Sequence, residues 1–278
     1  MPKASAAASK KGKKVAASAN DASSTTPAAP ETPQWPAFKG FLPPELLQLD
    51  TVLDRQILTV SQFFTASLCN TYIQFLSNLP LTTTPSKPKR GEAVRVNDRF
   101  QVQDPAFAKR LWLETGLKEL LEREDSQELL WGQDELNAGV KPWGLNPNIR
   151  IYRYTKGIYI AEIPSQSIKD HDDSNTLTLG SPPAQHRTIY TLLLYLTGPA
   201  DGVVGGETAF YRNEPYIPLS KRELKELAAS GQPQVIDVQP EKGMALLHRH
   251  GDECLLHEGK EVLAGVKWII RSDLVLDI

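Results

Sequence analysis

Beyond Pro147 the chain is a succession of short strand-like runs cut by glycine, proline and asparagine, and this limits the fold more than any other feature. The runs are "IRIYRY", "TIYTLLLYLT", "ETAFY", "QVIDV", "MALLHRH", "ECLLH" and "VKWIIRSDLVL". They are short and rich in β-branched and aromatic residues, which predicts strands rather than helices. A jelly roll of two sheets is the natural closure for so many short strands. Between them, "SKRELKELAASG" has a Ser220–Glu223 capping box and Gly231 beyond its end, which predicts an inserted helix over about 220–230.

The preceding part of the chain has a different texture. "SQFFTASLCNTYIQFLSNL", residues 61–79, carries a helical apolar pattern ending at Pro80. "DPAFAKRLWLETGLKELLERE", residues 104–124, opens with Asp104 as N-cap and Pro105 at the first helical position. Helices first and strands afterwards predict an α+β fold, with helical support over 35–147 and a jelly-roll core over 148–278. Residues 1–34 are Ala, Ser, Thr, Lys and Pro without periodicity, a composition that predicts a disordered tail.

Several classes are disfavoured. A net charge of −2 gives no broad field for nucleic acid or a membrane surface. Two cysteines, Cys69 and Cys254, make no disulfide framework. There is no apolar run long enough to span a bilayer, and the charged start lacks the apolar stretch of a secretory signal. The cytoplasm or nucleus is the expected location. The basic clusters "KKGKK" (10–14) and "KPKR" (87–90) read either as nuclear addresses or as solvated loop charge.

The chemistry-bearing residues are few. There are five histidines: His171, His186, His248, His250 and His257. His171 and Asp173, two apart in "KDHDDSN", point the same way on an extended segment. With His257 from a later strand they form two imidazoles and one carboxylate, the facial triad of non-haem Fe(II) oxygenases. A rival grouping takes His248 and His250 of "HRH" with His257 as a three-histidine zinc site. His186 reads as a surface residue. Lys267 lies in an apolar strand, where an ammonium needs a partner. Arg271, four residues on, shares its face, and Trp268 faces the other way into a core. "GVVGGE" lacks the Lys-Ser/Thr of a phosphate loop and reads as a tight turn.

Taken in order, "YRYTKG" (152–157), "HDDSN" (171–175), "YTLLLYLT" (190–197), "GGETAFY" (205–211), "PEKGMALLH" (240–248) and "LLHEGKEVLAGVKWIIR" (255–271) resemble the 2-oxoglutarate- and Fe(II)-dependent dioxygenases of the prolyl 4-hydroxylase type. The resemblance implies a double-stranded β-helix with iron held by His171, Asp173 and His257. It implies that Lys267 pairs with the distal carboxylate of 2-oxoglutarate, with hydroxyl hydrogen bonds from Tyr154 and Thr208. O2 would be the second co-substrate, ascorbate an accessory reductant, and succinate and CO2 the products. A protein or peptide substrate is implied, proline first, with a small molecule left open. The family reads H-aromatic-D-D-S where this chain reads His171-Asp172-Asp173-Ser174. In that register Asp172 is the metal carboxylate and Asp170 stands at the histidine position. A non-catalytic binding module of the same fold is the alternative.

Overall fold

The computed structural model describes residues 32–84, 97–156, 176–212, 235–251 and 254–277. The tail to residue 31, the cluster at 87–90, the inserted helix at 220–230 and the segment holding His171, Asp172 and Asp173 lie outside the described residues. In chain order the elements are β1 (Asp50–Leu53), β2 (Ile57–Val60), α1 (Ala66–Leu76), β3 (Thr82–Thr83), β4 (Asp98–Gln103), α2 (Pro105–Leu113), α3 (Leu117–Glu122), α4 (Glu124–Leu130), α5 (Gln133–Asn137), β5 (Pro142–Leu145) and β6 (Asn148–Tyr154). Then follow β7 (Thr176–Leu179), β8 (Ala184–Tyr195), β9 (Val204–Gly205), β10 (Thr208–Tyr211), β11 (Val235–Val238), β12 (Ala245–Arg249), β13 (Leu256–Gly259), β14 (Val262–Ala264) and β15 (Lys267–Asp277).

Ten strands form one antiparallel sheet in the order β1-β2-β12-β8-β15-β6-β4-β3, with β5 paired to β15 and β7 to β8. A second sheet has the order β11-β10-β13, and β14 pairs β9. Successive side chains of a strand face opposite ways, and β15 shows what each face meets. Trp268, Ile270 and Leu274 join Leu192 and Leu194 in a core closed by Tyr72 of α1, Phe107 and Leu111 of α2, and Leu120 of α3. Ile269, on the other face, joins Ile57, Tyr195 and Leu246 in a second core closed by Phe210, Ile236 and Val238 of the small sheet. The large sheet therefore has helices on one side and the small sheet on the other. This is a double-stranded β-helix, or jelly roll, flanked by N-terminal helices.

The segment expected to be helical support also supplies strands. β1 and β2 extend one edge of the large sheet, and β4 and β3 the other. The helix expected over 61–79 is shorter because Thr65 caps it, its hydroxyl accepting from Leu68 N at 3.4 Å. Phe63 and Phe64, just before the cap, are buried in the core instead. The helix expected over 104–124 starts as read, with Asp104 accepting from Phe107 N at 2.9 Å. It breaks at Gly116, whose φ of 78° separates α2 from α3. His186, read as surface, is only 3% exposed. Strand β8 starts upstream of the predicted run, which carries His186 into the sheet opposite Asp277 and beneath the Trp143 ring at 4.2 Å.

One glycine fixes how β12 enters the core. Gly243 has φ 84°, donates to Tyr195 O at 2.8 Å and accepts from Phe64 N at 2.9 Å. A Cβ there would lie 1.9 Å from Phe64 O. Gly243→Ala is expected to destabilise by more than about 4 kcal/mol, in the range reserved for core disruption. A denaturant midpoint equal to wild type would refute that close approach.

Candidate functional site

Lys267 opens β15 on the face toward the small sheet, opposite Tyr154 of β6. It is 3% exposed. Its Nζ donates to Gly206 O and lies 5.5 Å and 5.3 Å from the Tyr154 and Tyr195 ring centroids. It makes no ion pair among the described residues. Burial pushes the ammonium down to about 7, and the charge of Glu207 offsets only part of that. A buried cation supported by a carbonyl and two ring faces is under-compensated.

The local sequence builds this contact. Gly205 and Gly206 have φ of 73° and 74°, forming the tight turn read in "GVVGGE". A Cβ on Gly206 would sit 3.1 Å from Lys267 Cδ, so the bare glycine lets the lysine stem pass. The same turn delivers Thr208 to the start of β10. Thr208 Oγ1 is 2.7 Å from the Tyr195 hydroxyl. Tyr154, 6% exposed, lies against Lys267, and burial raises its phenol well above the ordinary range. Thus the structure brings Lys267, Tyr154 and Thr208 together. They line one cavity of about 110 Å³ with His248, His257, Tyr152 and Arg271.

Tyr195 was missed by sequence reasoning. Nothing in "YTLLLYLT" marked its hydroxyl as the partner of Thr208. Arg271 shares the face of Lys267 as read. However, its Nη2 is 3.3 Å from both Asp273 Oδ1 and Thr191 Oγ1. Burial works against the Asp273 charge, yet Arg271, His250 and Arg150 together hold its carboxyl below the usual range. Arg271 already has an anionic partner and Lys267 has none among the described residues, which separates the two as anchors for a ligand carboxylate. Trp268 faces the helices, with the Arg153 guanidinium 5.6 Å from its ring.

His257 lies on β13 opposite Phe210. Its Nδ1 is 2.9 Å from Leu255 O, which places the proton on Nδ1 and the lone pair on Nε2, the tautomer of a metal ligand. His248, on β12, has Nδ1 3.2 Å from Arg249 O. Its ring is 4.7 Å from that of His257, and Phe210 packs against both. Burial, then the neighbouring His257 and Arg271, push the His248 imidazolium well below its ordinary range, so the ring is neutral. His250 does not join them. Strand β12 ends at Arg249, and beyond it His250 turns to Thr191 Oγ1 at 3.1 Å and Thr188 Oγ1 at 3.0 Å. The three-histidine grouping is therefore corrected: alternation fails where the strand ends. His171 and Asp173 lie outside the described residues.

No protein-family model matches the sequence, and no curated protein matches it. Among solved structures the chain is similar to a viral collagen prolyl hydroxylase of Paramecium bursaria Chlorella virus-1 in its 2-oxoglutarate complex, at 16% identity over 80% of this chain and 97% of that one, with a TM-score of 0.43. It is similar to a Trichoplax adhaerens prolyl hydroxylase in complex with a hypoxia-inducible-factor peptide, at 14% identity over 79% and 83%, TM-score 0.47. It is also similar to HygX of Streptomyces hygroscopicus with nickel, 2-oxoglutarate and hygromycin B bound, at 16% identity over 79% and 82%, TM-score 0.41.

Proposed function

We propose that the chain is a 2-oxoglutarate- and Fe(II)-dependent dioxygenase that hydroxylates a C–H bond of a protein side chain, with proline the leading candidate. The observation that carries this reading is Lys267: a buried ammonium without an anionic partner among the described residues, lining the same cavity as a histidine in the metal-ligand tautomer. A dicarboxylate fits that pair of features. One end would neutralise Lys267 as a charge-assisted bond, while Thr208 and Tyr154 add hydroxyls, with Thr208 oriented by Tyr195. The apolar walls exclude water from the ion pair and strengthen it.

His257 would be one iron ligand. On the resemblance, His171 and Asp173 would be the others, with Asp172 the carboxylate in the alternative register. Bound iron, 2-oxoglutarate and O2 supply the oxidation, giving succinate, CO2 and a hydroxylated substrate. Ascorbate would serve as accessory reductant, and the basic clusters suit a cytoplasmic or nuclear location. No described helix is long and apolar enough to cross a membrane.

Anaerobic titration with Fe(II) and 2-oxoglutarate tests the site without knowledge of the substrate. The expected result is the weak visible charge-transfer band of the chelate. No band at saturating concentrations would favour the non-catalytic binding module.

The lowered Lys267 value gives this reading a pH signature. A ligand carboxylate needs the ammonium form, which in the ligand-free protein is lost as pH rises through about 7. The apparent dissociation constant for 2-oxoglutarate should be flat below that pH and rise about tenfold per unit above it. Binding above pH 7 should also take up a proton, measurable by calorimetry in buffers of different ionisation enthalpy. The stability effect of the same group has the opposite sense. Between about 7 and 10.5 the unfolded lysine holds a proton that the folded one has lost, so ligand-free stability gains from rising pH in that window. A pH-independent affinity between 6 and 9 would remove Lys267 as the anchor.

A further inference from the structure

We propose that His248, Cys254 and His257 form a second metal site, selective for a thiophilic divalent ion of the zinc class, which shares His257 with the iron site and so excludes iron. One ligand atom from each of the three residues lies within 4.8 Å of the others. Cys254 Sγ is 3.6 Å from His257 Nδ1. Zinc–nitrogen bonds of about 2.0–2.1 Å and zinc–sulfur bonds of about 2.3 Å in a tetrahedron put donor atoms roughly 3.3–3.6 Å apart. Small side-chain rotations therefore close the set on one ion.

The surroundings suit this chemistry. His248 holds Nδ1 against Arg249 O, which presents its Nε2 as the ligand atom; in His257 the atom beside the thiol is Nδ1, which would leave Leu255 O to bond the ion, and the neutral ring would then carry its proton on Nε2 and could not bind iron. Phe210 packs against both rings, which lie 4.7 Å apart with their planes tilted by 56°. Cys254 gives up one proton as the thiolate bonds the ion, and no oxidant or reductant is required. His248 and His257 both line the Lys267 cavity. Two imidazoles and a thiolate prefer zinc to Fe(II), whereas two imidazoles and a carboxylate do not make that choice. The binding stands on these residues alone; the competition with iron rests on the function proposed above.

Cobalt(II) is the probe, because its spectrum reports both geometry and sulfur ligation. With the full chain it should give intense tetrahedral visible bands and a near-ultraviolet sulfur-to-cobalt charge-transfer band, with one proton released per ion. Cys254→Ser should lose the charge-transfer band and bind zinc at least about tenfold more weakly. It should keep the anaerobic Fe(II)/2-oxoglutarate band, since Cys254 plays no part in that chelate. Zinc should suppress the chelate band in wild type far more effectively than in Cys254→Ser. A weak six-coordinate cobalt spectrum without charge transfer in wild type overturns the proposal, as does an unchanged spectrum in Cys254→Ser. Loss of the iron chelate in wild type with the cobalt–sulfur band retained would reject the dioxygenase reading and leave this site standing. The serine is close in size to the thiol, and Cys254→Ala serves as a second variant whose cobalt spectrum must agree.

Discussion

Replacing Lys267 by alanine is expected to weaken 2-oxoglutarate binding by two orders of magnitude or more while leaving iron retention intact. On the proposed reading the substitution removes the cation that meets the distal carboxylate and leaves that carboxylate in a cavity walled by Tyr154, Leu193 and Ile269. Breaking one side of a buried ion pair costs about 3–5 kcal/mol, and each ~1.4 kcal/mol is tenfold in affinity. Lys267→Met gives a second readout. It keeps the stem that passes Gly206 and removes an amine that burial disfavours, so the ligand-free protein should melt at or above the wild-type temperature while affinity is lost. A structural role for Lys267 predicts the reverse, a lower melting temperature with affinity kept. A Michaelis constant for 2-oxoglutarate that barely moves would transfer the anchor to Arg271, against its pairing with Asp273.

The question of what Lys267 pairs with could be asked from sequence but not fully answered there. Period-two alternation in "VKWIIR" put Lys267 and Arg271 on one face and Trp268 on the other, as the strand has them. It carried no information on which distant elements cover that face. The convergence of Tyr154, Thr208 and Lys267 came from a family resemblance, and the structure supplies the cause: β6 pairs with β15, and the Gly205–Gly206 turn brings β10 over the lysine. Tyr195 stayed hidden because a tyrosine in an apolar strand reads as core, and its hydroxyl gains meaning only beside Thr208. The errors share one origin. His250 was paired with His248 by counting two residues on, yet β12 ends between them; His186 was placed on the surface because β8 was started too late; and one long helix was drawn across Gly116. Each depends on where an element ends, which tertiary contacts decide and local pattern does not. Strands such as β2 and β4 escaped notice because short runs like "ILTV" and "DRFQVQ" acquire their identity from the neighbour they pair with.

His257→Ala is expected to abolish iron retention and uncoupled conversion of 2-oxoglutarate to succinate. The ring is positioned on β13 between Phe210 and His248, with its Nδ1 at Leu255 O, so removal deletes a ligand atom that no described neighbour is placed to replace in the same geometry. Loss of groups that merely orient a metal ligand typically costs about 10–100-fold in metal affinity or activity, and loss of the ligand itself should exceed that. His250→Ala is the matched control. It removes hydrogen bonds to Thr188 and Thr191, at a cost of about 1 kcal/mol each, but its ring faces away from His257. That variant should lose some stability and keep both iron and turnover. Metal analysis after gel filtration, with succinate formation measured in parallel, separates the two. Wild-type succinate formation in His257→Ala would end the iron reading, because that reading makes this imidazole one of the iron ligands. Loss of iron in His250→Ala at unchanged melting temperature would restore the histidine-rich grouping that the end of β12 argues against. If His257→Ala loses iron and 2-oxoglutarate turnover yet Asp173→Ala and Asp172→Ala both retain them, neither aspartate is the metal carboxylate, and the facial triad needs another third ligand.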